Sequence, residues 1–469
     1  MAFHETRFWS GILDYWIVSN KIESISESGK QFFTLQGLLG FICGSYACFL
    51  RPDWDICYGI IVISSFEIIM IVSLIIFWVS AAVLFYCYFG YAGIAFLCTR
   101  LKKLFSSAKR KDRPTSELVP VTLVITAFNE EAVLEQKIRN TLDINYPAEK
   151  FSVIFVTDGS TDGSGEIIRK YPVFTLLHQQ ERKGKYAATK RAVRQVKTPV
   201  VVFSDANSML NRDCILHIVS HYASPSVGAV AGEKRVIREQ HSAVGEAEGL
   251  YWQYESFLKK MDAGLYTVTG AAGELFSIRT SLFKELDDEI ILDDFICSMQ
   301  VCMQGYRIAY EPDAFATEHP SASLAEEEKR KVRISAGAYQ SIGYLAGCLN
   351  FIKQPLLALQ FVSRRLLRWI FCPVLIITLL LSNIFIVINY PVYQFYNWTL
   401  YAQIIFYLLA AIGWILAASG KKTGLFTIPF YFVFMNYCLV KGFVKFIRRK
   451  QTVLWEKSLR QAIESGVGS

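Results

Sequence analysis

At 469 residues the chain exceeds an ordinary single domain, and a hydrophobic content of 52% is high for a purely soluble enzyme. The net charge of +8 gathers beside apolar runs, where anionic lipid and the positive-inside rule account for it, which argues against a nucleic-acid partner. Eleven cysteines form no CxxC pair and no spaced Cys/His cluster, so they read as buried free thiols in a reducing compartment rather than as a zinc module.

Taken in chain order, Phe33 to Leu50 is short, apolar and glycine-containing, a candidate additional span. From Ile68 to Cys98 no residue is charged, a run longer than the roughly 20 residues a helix needs to cross a bilayer. This run is predicted to span, with Gly90 and Gly93 marking its exit; it is too long and too far from the start to be a cleaved signal peptide. Arg100, Lys102, Lys103, Lys109, Arg110, Lys111 and Arg113 follow, so this flank is expected to face the cytoplasm.

An N-terminal region of residues 1–115 thus precedes a polar middle, residues 116–345. From Leu118 to about Gln340, short Val/Ile-rich runs alternate with amphipathic segments, an α/β pattern. The runs Pro120 to Thr126, Phe151 to Thr157 and Val200 to Ser204 lack polar alternation, as expected of parallel strands covered on both faces. Each run ends in a polar motif. The first, Thr126-Ala127-Phe128-Asn129-Glu130-Glu131, places acidic residues in the first turn of a following helix, where they suit its dipole. The second, Thr157-Asp158-Gly159-Ser160-Thr161-Asp162-Gly163-Ser164, is a glycine-rich turn into another helix. The third, Phe203-Ser204-Asp205-Ala206-Asn207, sets a carboxylate and an amide on alternate positions, oxygen donors suited to a hard divalent cation shared with phosphate. Ligands of open α/β sheets bind outside the carboxyl ends of strands, so the three motifs are predicted to converge on one crevice.

The C-terminal region, residues 346–469, begins with Arg364, Arg365 and Arg368 ahead of an uncharged stretch from Trp369 to about Tyr401, and a second apolar stretch continues to Ser419. Together they read as a membrane hairpin with its tip at Pro391 to Asn397 outside and Lys421 and Lys422 inside. A third apolar stretch, Leu425 to Val440, conflicts with the charge rule if it crosses, because it would put Lys441, Lys445, Arg448, Arg449 and Lys450 outside. A re-entrant or interfacial helix removes the conflict.

In order and spacing, the three strand-end motifs resemble the nucleotide-sugar domain of family 2 glycosyltransferases, whose fold is called GT-A. The resemblance covers roughly Val119 to Gln340 and implies a Rossmann-like, mostly parallel α/β catalytic domain flanked by transmembrane helices. It implies that Ala127, Glu130 and Asp158 hold the uridine. Asp205 takes the place of the first aspartate of the family's DxD, the contact to metal and diphosphate, with Asn207 in the third position and Mg²⁺ or Mn²⁺ as the cofactor. Lys183-Gly184-Lys185 followed by Ala188 looks like the family's basic turn near the nucleotide; a solvated basic loop is the plain alternative. Gly270-Ala271-Ala272-Gly273-Glu274-Leu275-Phe276-Ser277-Ile278-Arg279 matches the family's small-residue segment beneath the acceptor, where a sugar approaches the backbone closely. Leu292-Asp293-Asp294-Phe295 stands at the family's acidic pair, with Asp294 as the base and Asp293 supporting it; adjacent acids raise each other's pKa. Arg330-Lys331-Val332-Arg333-Ile334 stands where long-polymer synthases carry QxxRW. Only Arg333 matches, and Arg330 replaces the Gln, which leaves a diphosphate clamp or a solvated helix face.

The expected protein is an integral membrane enzyme of a bacterial-type inner or plasma membrane with a cytoplasmic catalytic domain. It transfers a sugar with inversion from a nucleotide-sugar donor, implied to be a UDP-sugar, to a glycan or lipid-linked acceptor, with export or channel subunits as further partners. A processive polysaccharide synthase and a single-transfer polyprenyl-phosphate enzyme fit equally. The reading from another class is a membrane scaffold or transport component carrying an inactive domain; against it stands the set Asp158, Asp205, Asp294 and Arg333, which transport does not require.

Overall fold

The computed structural model describes residues 54–105, 118–237, 243–449 and Leu454. The candidate span at Phe33 to Leu50 lies outside the described residues. The chain divides into two compact units, Met1–Ile69 and Met70–Ser469. Residues 54–69 of the first are helical, and every contact described below lies within the second.

The helices are α1 (Trp54–Phe85), α2 (Tyr91–Phe105), α3 (Glu131–Leu142), α4 (Ser164–Arg169), α5 (Lys185–Val193), α6 (Cys214–Ser220), α7 (Ala243–Leu265), α8 (Asp293–Met303), α9 (Leu324–Tyr344), α10 (Pro355–Phe361), α11 (Cys372–Asn389), α12 (Gln394–Ala418) and α13 (Thr427–Ile447). The strands are β1 (Val121–Ala127), β2 (Phe151–Asp158), β3 (Thr175–Gln179), β4 (Val200–Asp205), β5 (Met209–Leu210), β6 (Val227–Val236), β7 (Phe276–Arg279) and β8 (Arg307–Glu318).

The three uncharged Val/Ile-rich runs form β1, β2 and β4, buried along most of their length, as strands covered on both faces must be. They sit in one eight-stranded sheet of order β3-β2-β1-β4-β7-β6-β8-β5. β1 pairs in parallel with β2 and β4, and β2 with β3; β7 runs antiparallel to its neighbours β4 and β6. Register aligns Ala127 with Thr157 and Thr126 with Asp205, so all three motifs leave the same sheet edge. One face is covered by Leu134 and Ile138 of α3 and Ile215 and Ile218 of α6. The other is covered by Tyr186 and Ala192 of α5, Ile296 and Met299 of α8 and Phe361 of α10. Each large aliphatic or aromatic side chain so buried contributes about 1.5–3 kcal/mol.

Among the described residues, four helical runs are long and apolar enough to cross a membrane: Glu67–Lys102, Pro355–Asn389, Gln394–Ala418 and Gly424–Ile447. In the first, α1 and α2 are joined through a π-helical turn at Tyr86–Gly90. The hairpin turn lies earlier than the sequence pattern indicates: α11 ends at Asn389 and α12 starts at Gln394, so Gln394 to Asn397 are helical. The three arginines expected to flank the hairpin lie inside a helical run, in the π-helical segment Val362–Phe371. Carboxylates of α7 make this possible. Arg364 pairs with Glu255 at 3.0 Å and with Asp262 at 2.9 Å, and Arg368 pairs with Glu255 at 2.5 Å.

The third apolar stretch, α13, stays against α9 along its length. The Tyr431 hydroxyl donates to Glu327 at 3.1 Å, the ring of Tyr339 packs on Phe443 and Phe446, and Lys441 pairs with Glu328 at 2.5 Å. At Gly442 the two helices approach so closely that a Cβ would meet that of Ser335 at 2.4 Å.

Candidate active site

The first two strand-end loops are stapled to each other. Asn129 adopts a left-handed φ of 54°, which asparagine tolerates better than most residues, and its side-chain oxygen accepts from the Thr161 N–H at 2.8 Å. In return the Glu130 N–H donates to Ser164 Oγ at 3.0 Å, the Glu131 N–H to Asp162 at 3.1 Å and the Gly163 N–H to Glu131 at 3.0 Å. These bonds satisfy amides at the starts of α3 and α4 that helix geometry leaves open.

Asp158 ends β2 wholly buried. Its carboxylate accepts from the backbone N–H groups of Lys183 at 3.0 Å and Gly184 at 2.7 Å, so it anchors the basic turn. Gly159 must be glycine: its φ is +69° and a Cβ would lie 2.7 Å from that of Arg182. The turn delivers Lys185, the first residue of α5, whose ammonium pairs with Asp205 Oδ1 at 2.5 Å. Burial pushes the Asp205 carboxyl up and the neighbouring Lys185 charge opposes that; the Lys185 ammonium is in turn held protonated by Asp205, Asp293 and Asp294 against its own burial.

Asp293 and Asp294 open α8, where the helix dipole favours negative charge. The Phe295 N–H donates to Asp294 Oδ1 at 2.7 Å. Burial, reinforced by the charge of Asp293 and opposed by Lys185, nonetheless pushes the Asp294 carboxyl up to about 7, the range in which a carboxylate serves as a general base at neutral pH. Gly273 shows how these groups meet. A Cβ built on it would lie 2.9 Å from Lys185 Nζ, 3.1 Å from Asp294 Oδ2 and 3.6 Å from Asp205 Oδ2. An ammonium and two carboxylates from three separate elements therefore converge above one glycine.

They face a cavity of about 1350 Å³ that is also lined by Glu130, Asn207, Asp293, Arg330 and Arg333. Ala127 and Asp158 do not line it: the Ala127 methyl belongs to the core, while its neighbours Thr126 and Phe128 reach the cavity. The two arginines of α9 differ. Arg330 is engaged by Glu248 and by Glu327, the latter at 3.0 Å, whereas the Arg333 Nε is buried without a hydrogen-bond partner and burial lowers its pKa against the pull of Asp293, Asp294 and Asp205.

Asp205 and Asn207 carry oxygen donors of the kind a hard divalent cation takes. Both reach the cavity, and among the described residues no group of three or more His, Cys, Asp or Glu side chains is arranged to hold a metal. Mg²⁺-type sites commonly take only one or two protein oxygens and are completed by water and substrate phosphate.

Several site residues escaped the sequence reading. Lys137 of α3 reads as a solvated helix lysine but is fully buried behind Asp205. Its ammonium donates to Ser204 Oγ at 2.9 Å and to the Ser208 carbonyl, and burial brings it down to about 7. Arg182 stacks on the Phe128 ring with its guanidinium carbon 3.6 Å from the ring centre. Lys234 of β6 is buried among Glu248 at 3.7 Å, Glu274 at 2.6 Å and Glu318, an ion cluster that supports the small-residue segment from below.

Residues 119–337 match the family described as "Glycosyltransferase like family 2". The chain is 28% identical over 248 residues to the poly-beta-1,6-N-acetyl-D-glucosamine synthase of Staphylococcus aureus strain COL, a match covering 50% of this chain and 58% of that protein. It is 24% identical over 254 residues to the probable glycosyltransferase YdaM of Bacillus subtilis strain 168, covering 49% and 58%. The chain thus spans a little over half the length of these relatives. In fold it is similar to the mannosyltransferase PcManGT from Pyrobaculum calidifontis, solved in complex with GDP-Man and Mn²⁺, with a TM-score of 0.60, 20% identity, and coverage of 80% of this chain and 100% of that one. The mostly parallel sheet with its strand-end motifs on one edge, and the sequence match across residues 119–337, identify that segment as a family 2-like glycosyltransferase domain with a GT-A fold.

Proposed function

We propose that this protein is a membrane glycosyltransferase that moves a sugar from a nucleotide-sugar donor, UDP- or GDP-linked, to a glycan or lipid-linked acceptor with inversion. The observation that carries the reading is the convergence of Lys185, Asp205 and Asp294 above Gly273 inside the cavity. In this mechanism the Asp294 carboxylate accepts the proton of the acceptor hydroxyl as that oxygen bonds to the anomeric carbon. Lys185 and Arg333 hold positive charge beside the leaving diphosphate, while Arg330, fixed by Glu248 and Glu327, adds to the field. Preorganised charge of this kind is the largest lever such catalysis has. Asp205 and Asn207 would hold a divalent cation, Mg²⁺ or Mn²⁺, which would supply further neutralisation of the departing diphosphate. Ala127 and Glu130 edge the nucleoside site, and Asp158 keeps the basic turn in place. One base facing a cationic pocket supports a single displacement.

In this reading residues 116–345 form the catalytic domain on the cytoplasmic side of a bacterial-type inner or plasma membrane. α13 is an interfacial helix that keeps its basic end on that side, in line with the charge rule. The test is release of nucleoside diphosphate from a panel of UDP- and GDP-sugars by the detergent-purified chain, with Mg²⁺ or Mn²⁺ against EDTA, beside Asp294→Asn. Metal-dependent turnover of one donor that the substitution removes is the expected result; equal turnover by both proteins sinks the assignment of the base.

A further inference from the structure

Lys137 takes no part in the transfer chemistry described above, yet it stands directly behind it. The buried face of α3 is formed by Leu134, Lys137, Ile138 and Thr141, and Leu134 and Ile138 pack there in the sheet's core. The lysine in that row is 0% exposed. Its ammonium donates to two oxygens, neither of them a carboxylate: Ser204 Oγ at 2.9 Å and the Ser208 carbonyl. Taking an ammonium out of water is costly, and an apolar side chain would fill the row without that cost.

What the ammonium grips is the loop that carries Asp205 and Asn207. The Ser208 N–H donates to the Asp205 carbonyl at 3.3 Å, so Asp205 to Ser208 form one β-turn with both oxygen donors on it. Lys137 holds the residue before the turn, Ser204, and the last residue of it, Ser208. One helical turn further on, Asn140 Nδ2 donates to the Leu210 carbonyl at 2.7 Å, and the Leu210 N–H donates back to Asn140 Oδ1 at 2.8 Å. The grip also reaches across the site. Ser204 Oγ in turn donates to the Glu274 carbonyl at 3.0 Å, and Glu274 follows Gly273, above which Lys185, Asp205 and Asp294 converge. One ammonium therefore ties the Asp205 turn to the Gly273 segment.

Resting on the transferase reading above, we propose that Lys137 is a positioning residue: it pins the Asp205–Ser208 turn so that Asp205 and Asn207 present their oxygens together to a divalent cation on the donor diphosphate. It touches neither cation nor donor itself. An ammonium suits the task because a single small group with three N–H donors holds a hydroxyl and a carbonyl at once. Groups that orient metal ligands from behind commonly set metal affinity by about 10- to 100-fold.

The test is calorimetry of UDP and GDP binding to the detergent-purified full chain, in Mn²⁺ and in EDTA. The quantity read is the gain in nucleotide affinity that Mn²⁺ brings. Lys137→Met keeps an unbranched side chain and removes the ammonium; it is expected to cut that gain about tenfold or more, with the affinity in EDTA within about twofold of wild type. A lysine that serves the fold alone gives another pattern, a lowered melting temperature with the Mn²⁺ gain unmoved, and that result overturns the proposal. So does equal binding by wild type in Mn²⁺ and EDTA. Ser204→Ala keeps the lysine and removes one of its two partners, and should cut the gain about threefold. If Lys137→Met does not fold, an unchanged gain in Ser204→Ala overturns the proposal by itself. Any of these results beside intact diphosphate release refutes the positioning role alone. Absence of UDP and GDP binding by wild type, with no diphosphate release across the donor panel, refutes the transferase reading itself.

Discussion

A single methyl group added at Gly273 tests whether the reaction takes place above that residue. The Cβ would stand 2.9 Å from Lys185 Nζ and 3.1 Å from Asp294 Oδ2, both inside ordinary van der Waals contact, so ammonium and carboxylate must each withdraw by several tenths of an ångström. The donor sugar loses the same space. The ammonium is the far end of a flexible chain, so folding is largely spared and the unfolding free energy is expected to stay within about 1 kcal/mol of wild type. Catalysis is not spared, because misplacement approaching 1 Å at a reacting centre costs on the order of 10²-fold. The kcat/KM for diphosphate release by Gly273→Ala should therefore fall about 100-fold, roughly 2.7 kcal/mol of transition-state stabilisation, with the melting temperature little changed. Gly343→Ala is the control: that position in α9 is exposed with nothing within 4 Å of its Cβ, so alanine should stabilise by up to about 1 kcal/mol and leave the kinetics alone. Wild-type kcat/KM in Gly273→Ala would refute the convergence as the site of transfer.

Asp294→Asn should lower kcat by about 10²- to 10⁴-fold; retention of the rate points to another base. Because the folded Asp294 carboxyl is raised to about 7, it is protonated below that pH, so kcat/KM should rise with pH up to about 7 and level off above. Asp293→Asn, which removes a like charge, should move that limb to lower pH, and a flat profile from pH 5 to 8 contradicts the assignment. The sign for stability is the reverse: ionising a group with a raised folded pKa opposes folding, so Asp294→Asn should raise the melting temperature at pH 8 and lose that advantage toward pH 4. Lys234→Met removes the buried ammonium that Glu274 and Glu318 share and should cost about 3–5 kcal/mol, read as a large drop in thermal stability; a small change means the cluster is hydrated. Asp205→Asn should raise the half-saturating Mn²⁺ concentration about tenfold or more, and an unchanged metal dependence removes Asp205 from the ligand set.

The central strands were legible in the sequence because burial on both faces writes itself as unbroken Val/Ile runs, and each such run ended in the polar residues that the sheet edge presents to substrate. β8 was not legible: its 12 residues alternate buried and partly exposed positions and carry Glu311, Asp313 and Glu318, which pattern reading takes for loop. Arg330 shows a different limit. Its residue type suits a phosphate, but its partner Glu248 lies 82 positions away, and no local pattern reports a contact of that range. Lys137 was hidden for the same reason, since only the fold closes Ser204 and Ser208 around it. The arginines at 364, 365 and 368 were seen as a membrane boundary because charge before an apolar run usually is one; α7 supplies carboxylates that draw two of them inward.

The close contact of Gly442 with Ser335 has a geometric consequence for how the enzyme works at a surface. α9 carries Arg333 near its middle and packs against α13, so the proposed transfer site is held at one height relative to the apolar helices, without a linker on which to swing. A fixed height acts as a ruler: an acceptor whose reactive end stands too near or too far from the lipid surface is refused however well its chemistry matches. Lengthening the polar part of an acceptor by one unit at a time reads that ruler directly.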